Sequence, residues 1–102
     1  MKIVNAQEFN ELRTKGKVVV DFYADWCGPC KMLGPVLEEI SKENPDITFV
    51  KINCDDEEEL AYEFKVMSIP NVFFLNNGKV VGNFLGTQPK NAIERMLKEA
   101  YK

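Results

Sequence analysis

Two cysteines separated by two residues, Cys27-Gly28-Pro29-Cys30, are the groups in this chain best suited to chemistry. A nearly continuous apolar run, Val18 to Ala24, precedes them, and Leu33, Val36, Leu37 and Ile40 recur after them at helical spacing. The pair therefore stands where a buried strand turns into a helix. Cysteines spaced this way at a helix start have neighbouring side chains, close enough to bridge with small adjustments. The helix N-terminus adds unpaired N–H groups and the positive end of the dipole, and both stabilise a thiolate, the reactive form of cysteine. Cys27 is expected to be the more exposed and more acidic of the two, and Cys30, one turn in, the more buried. The chemistry this allows is a pair of exchanges. The Cys27 thiolate attacks a disulfide in a partner to give a mixed disulfide. Cys30 then attacks Cys27, releases the reduced partner and leaves an internal disulfide.

A Cys-x-x-Cys pair is also half of a zinc site. The other half is missing, because Cys54 is the only further cysteine and the chain has no histidine. A zinc site shared between two chains stays open. A purely structural disulfide closing so small a loop would constrain the unfolded chain little. Without histidine there is no Ser-His or Cys-His dyad, so a general acid or base must be a carboxylate, lysine, tyrosine or cysteine. The odd cysteine count argues against a secreted disulfide scaffold.

The elements that must position the pair can be read along the chain. Asn5 with Glu8 three residues on predicts a helix cap, Phe9 and Leu12 share one face, and Gly16 is a plausible stop. Lys2 to Val4 reads as a short leading strand. Pro29 suits the first turn of the helix after Cys27, and Pro35 is expected to kink it. Ile47 to Ile52 reads as a second buried strand. Asp55-Asp56-Glu57-Glu58-Glu59 is expected to open a helix, acids being favoured at the positive dipole end, with Leu60, Ala61 and Phe64 inward. Val72 to Leu75 and Lys79 to Val81 flank Asn76-Asn77-Gly78, a strong hairpin signal. Thr87 with Pro89 is expected to start a last helix whose inner side holds Ala92, Ile93, Met96, Leu97, Ala100 and Tyr101. The order βαβαβαββα, a parallel half followed by a hairpin, implies an α/β fold with a mixed sheet of about five strands flanked by about four helices.

The length of 102 residues, 45% hydrophobic and 28% charged, fits one globular domain over 1–102. A net charge of −3 gives no basic footprint for nucleic acid. No run reaches the roughly 18 apolar residues of a membrane helix, and Met1-Lys2-Ile3-Val4-Asn5 leads into polar sequence without a secretory leader. The expectation is a soluble cytoplasmic protein in a reducing compartment.

Asp21 is an anomaly inside the apolar strand. If buried and unpaired, its carboxyl has a raised pKa, and in a chain without histidine it is the natural proton carrier for Cys30. The alternative is that it faces solvent at the strand edge. On sequence alone Lys51 reads as a solvated surface lysine. Trp26 is either a core aromatic or, being next to Cys27, partly exposed. Pro70 must sit at a strand end or edge. Cys54 reads as a half-buried, inert thiol, with a regulatory or dimer-forming cysteine as the alternative.

The stretch Val20-Asp21-Phe22-Tyr23-Ala24-Asp25-Trp26-Cys27-Gly28-Pro29-Cys30-Lys31 resembles the signature of the thioredoxin family. The resemblance covers essentially the whole chain, including Ser68-Ile69-Pro70, the Asn77-Gly78 hairpin and Gly86 before the last helix. It implies the thioredoxin fold and a dithiol–disulfide oxidoreductase with Cys27 as nucleophile and Cys30 as resolving cysteine. It further implies a buried Asp21 as proton acceptor and donor, and Lys51 near that acid. The Ile69–Pro70 bond would be cis and lie against the cysteines. Trp26, Gly28, Pro29, Ile69, Pro70 and Gly86 would form a substrate-docking surface that pairs with an extended strand. No cofactor would be bound. Electrons would come from a thioredoxin reductase dependent on NADPH or ferredoxin, and the other partners would be disulfide-containing proteins met by a monomer. Gly28-Pro29 between the cysteines implies a reductant. Tyr23, where many members have tryptophan, and Asn71, where threonine is common, depart from the pattern and bear on partner preference. A second reading is a thioredoxin-like binding subunit whose redox role is secondary.

Overall fold

A computed structural model describes all of residues 1–102. Along β2 (Lys17–Tyr23), successive side chains point to opposite faces, and both faces are covered. Val18, Val20 and Phe22 pack with Phe9, Val50, Ile52, Leu60 and Leu75 on one side. Val19 packs with Leu33, Leu37, Ile40, Val72, Phe74, Ile93 and Leu97 on the other. This two-sided burial is why the strand reads as a continuous apolar run.

β2 lies at the centre of a five-stranded sheet, in the order β1-β3-β2-β4-β5. The short β1 (Lys2–Ile3) and β2 each pair in parallel with β3 (Thr48–Asn53). β4 (Asn71–Asn76) runs antiparallel to β2 and forms a hairpin with β5 (Lys79–Leu85). Asn77 and Gly78 both have positive φ, 51° and 87°, the pairing that the tight Asn-Gly turn requires. Helices α1 (Ala6–Leu12) and α3 (Glu58–Glu63) contribute Phe9 and Leu60 to one face. Helices α2 (Gly28–Glu43) and α4 (Lys90–Ala100) contribute their apolar stripes to the other. The mixed sheet with four helices is the architecture expected from the sequence.

Helix ends carry the differences. The capping box at Asn5 and Glu8 is formed from both sides, but α1 stops at Leu12, before Gly16, which bends the following turn at φ +71°. α2 runs unbroken through Pro35. α3 starts at Glu58, so Asp55 and Asp56 lie in the preceding turn, outside the helix. α4 is capped at Pro89, two residues beyond Thr87. No helix is long and apolar enough to cross a membrane.

Candidate active site

β2 ends at Tyr23, and α2 begins four residues after Ala24. Cys27 is the N-cap residue of α2, extended at φ −87° and ψ 109°, and its sulfur accepts the backbone N–H of Cys30 at 3.2 Å. Gly28 and Pro29 fill the first helical positions, where the missing proline N–H costs nothing. Cys27 and Cys30 are joined in a disulfide with their Cα atoms 5.3 Å apart. The expected difference in exposure is absent, since each residue is 4% exposed. The bond draws both sulfurs into one cluster with Tyr23 and Ala24, and Ile69 packs against it. The Ile69 carbonyl oxygen lies 3.9 Å from the Cys27 Sγ, and the Ile69–Pro70 bond is cis.

Asp21 is fully buried, which removes the solvent-facing alternative. Strand alternation puts it on the α2 side of the sheet with Val19 and Tyr23. Neither carboxylate oxygen has a hydrogen-bond partner. Burial pushes its pKa up to about 6, and the positive charge of Lys51 pulls in the opposite direction. Lys51 is half-buried and directly opposite Asp21 in the β2–β3 register, so the surface-lysine reading does not hold. Its ammonium lies over the Tyr23 ring, 4.2 Å from the centroid. Lys51 and Cys30 also line one open depression of about 540 Å³, together with Lys31, Pro35 and Glu38.

Around the disulfide the surface is apolar. Trp26 is 72% exposed, so it is no core aromatic, and its indole N–H donates to Asp55 Oδ2 at 2.9 Å. Gly28 and Pro29 are exposed, and Ile69 is half-buried. The Gly86 N–H donates to the Pro70 carbonyl at 2.8 Å, with Gly86 at φ +74°, a conformation glycine adopts without cost. Cys27, Ile69, Pro70 and Gly86 are thus linked by direct contacts.

Two neighbours, Asp55 and Met67, were not expected from the sequence. Asp55 anchors Trp26, and its own backbone N–H is held by Asn53 Oδ1 at 2.9 Å. Nothing in the acidic run distinguishes Asp55 from the acids after it. Met67, two residues before Ile69, is 95% exposed. Cys54 is free and half-buried, and burial followed by the nearby Asp55 and Asp21 pushes its thiol up to about 11. No group of three or more histidine, cysteine, aspartate or glutamate side chains is placed to hold a metal ion.

The model of the thioredoxin family matches residues 1–99. The chain belongs to the thioredoxin family. A thioredoxin of Mycoplasmoides gallisepticum is 46% identical over 97 residues, covering 94% of this chain and 97% of its own length. A thioredoxin of Bacillus subtilis is 44% identical over 100 residues, covering 95% and 96%. The crystal structure of mitochondrial thioredoxin 3 from Saccharomyces cerevisiae in its oxidized form superposes with a TM-score of 0.84 at 34% identity, covering 96% of this chain and 93% of that one. Thioredoxins are protein-disulfide oxidoreductases that need no bound cofactor, and the Cys27–Cys30 disulfide is the redox centre of this one.

Proposed function

We propose that this chain, a single domain over 1–102, is a cytoplasmic electron carrier that reduces disulfides in partner proteins and is itself reset by a thioredoxin reductase. The observation that carries this reading is the position of Cys27 at the N-cap of α2, where its sulfur accepts the Cys30 N–H. The same N–H and the helix dipole stabilise the Cys27 thiolate once the disulfide is reduced. That thiolate attacks one sulfur of a partner disulfide, and the other partner sulfur leaves as a thiolate that takes up a proton. Asp21, unpartnered and with its pKa pushed up by burial to about 6, accepts the Cys30 proton. Cys30 then attacks the Cys27 sulfur, the second partner sulfur leaves as a thiolate that takes up the proton held by Asp21, and two electrons have passed to the partner. Lys51 tunes Asp21 from the neighbouring strand.

Trp26, Gly28, Pro29, Ile69, Pro70 and Gly86 form the docking face. An extended partner strand fits it, pairing with backbone beside the cis proline. The reductase draws on NADPH or ferredoxin, and the carrier acts as a monomer. A test is the reduction of insulin disulfides by dithiothreitol. The chain is expected to accelerate precipitation of the insulin B chain well beyond dithiothreitol alone. No acceleration would favour a binding subunit with a secondary redox role.

A further inference from the structure

Asp21 and Lys51 are opposite charges in register on adjacent strands, yet they do not form an ion pair. Lys51 takes part in none of the salt bridges of the chain. Its ammonium sits on the face of the Tyr23 ring, well inside the roughly 6 Å over which a ring quadrupole attracts a cation. Tyr23 is itself buried in the cluster that holds the two cysteines. We propose that Tyr23 is a positioning residue whose ring holds the Lys51 ammonium off Asp21, leaving that carboxyl unpaired and free to exchange a proton. The inference rests on the reading of Asp21 as the proton carrier.

The other groups that reach this arrangement do not substitute for the ring. On α2, Glu38 interacts with Lys51, but both of its oxygens are tied to the Met1 ammonium at 2.7 Å. Cys30, also on α2, is in the disulfide. β4 presents Val72 opposite Asp21, an apolar neighbour. Cys54, past the end of β3, is neutral across the physiological range. Burial raises the pKa of the Tyr23 hydroxyl, and the nearby Asp25, Asp56 and Asp21 add to that rise, but none of the three is paired with Lys51. Without the ring, no other side chain of the structure keeps the flexible lysine from swinging onto the orphaned carboxylate. A close opposite charge lowers a carboxyl pKa by roughly 1–3.

The test follows the Asp21 carboxyl by carbon NMR across pH in the oxidised protein. The four chains are the parent, Tyr23→Leu, Lys51→Met and the double variant. Tyr23→Leu is expected to lower the Asp21 midpoint by roughly one pH unit, the low end of that range. In the Lys51→Met background the same tyrosine change is expected to leave the midpoint where Lys51→Met put it. Tyr23→Phe keeps the ring and is expected to keep the midpoint. An equal shift in both backgrounds, no shift in either, or a Tyr23→Phe shift as large as that of leucine would overturn the proposal. Should the leucine variant not fold, Tyr23→Met removes the ring with a flexible filler and is read the same way. Failure of the proton-carrier reading shows separately, as an Asp21→Asn variant that resolves mixed disulfides at the parent rate whatever the tyrosine cycle gives.

Discussion

Replacing Asp21 with alanine is expected to stabilise the protein at pH 8 and to do nothing favourable at pH 4. The Asp21 carboxyl titrates at 3.8 as a free side chain and at about 6 in the fold. Its folded pKa is raised, so the unfolded chain ionises first as pH rises, and the native state is progressively disfavoured from about pH 4 to about pH 6. Above that window the full difference applies, about 3 kcal/mol of destabilisation from the charge. At pH 4 only about 0.5 kcal/mol of it is present. Removing the carboxyl also leaves a small void at a fully buried site, at a cost of about 1 kcal/mol. The variant is therefore about 2 kcal/mol more stable at pH 8 and slightly less stable at pH 4. The void contributes equally at both pH values, so the change between them, about 2.5 kcal/mol, isolates the titration. Urea unfolding of parent and variant at the two pH values, both with the disulfide intact, measures it. A stability difference that is the same at pH 4 and pH 8 would refute the reasoning. The account also requires the stabilised variant to resolve mixed disulfides more slowly.

Lys65 holds φ 55° in the turn after α3, a conformation costly to any residue with a Cβ. Lys65→Gly is expected to add about 1 kcal/mol and raise Tm by about 4 °C in a calorimetric scan; an unchanged Tm would count against it. At Gly82 an added Cβ would lie 2.7 Å from Cδ2 of the buried Phe74. Gly82→Ala is therefore expected to lose about 1–3 kcal/mol in denaturant unfolding through overpacking, and a neutral result would mean that the ring can move aside. With its thiol at about 11, Cys54 is thiolate in only about one molecule in a thousand at pH 8. In the reduced protein, iodoacetamide is expected to label Cys27 long before Cys54, as read by peptide mass spectrometry. Comparable rates would show Cys54 to be reactive.

Much of the fold was legible because its signals are local. The two-sided burial of Val18 to Phe22 appears as an apolar run, and the Asn77-Gly78 turn as a dipeptide with the right backbone freedom. The cysteine pair and Asp21 were legible for the same reason, as chemistry set against an apolar background. What the sequence hid are contacts between distant segments. The bond from Asp55 to Trp26 spans 29 residues, and the acidic run around Asp55 reads equally well as a helix start. The Lys51 ammonium on Tyr23 depends on the β2–β3 register, which no local pattern specifies. Equal exposure of Cys27 and Cys30 goes with the disulfide that holds both sulfurs in one cluster, against which Ile69, 42 residues from Cys27, also packs.

The central claim is that Cys27 attacks and Cys30 resolves. Cys30→Ser and Cys27→Ser variants, reduced and mixed with a protein disulfide, test it directly when the covalent adducts are mapped by mass spectrometry. The account predicts a stable mixed disulfide on Cys27 in the Cys30→Ser variant and far slower adduct formation in the Cys27→Ser variant. Adducts that form equally fast on Cys30, or that map to Cys54, would contradict it.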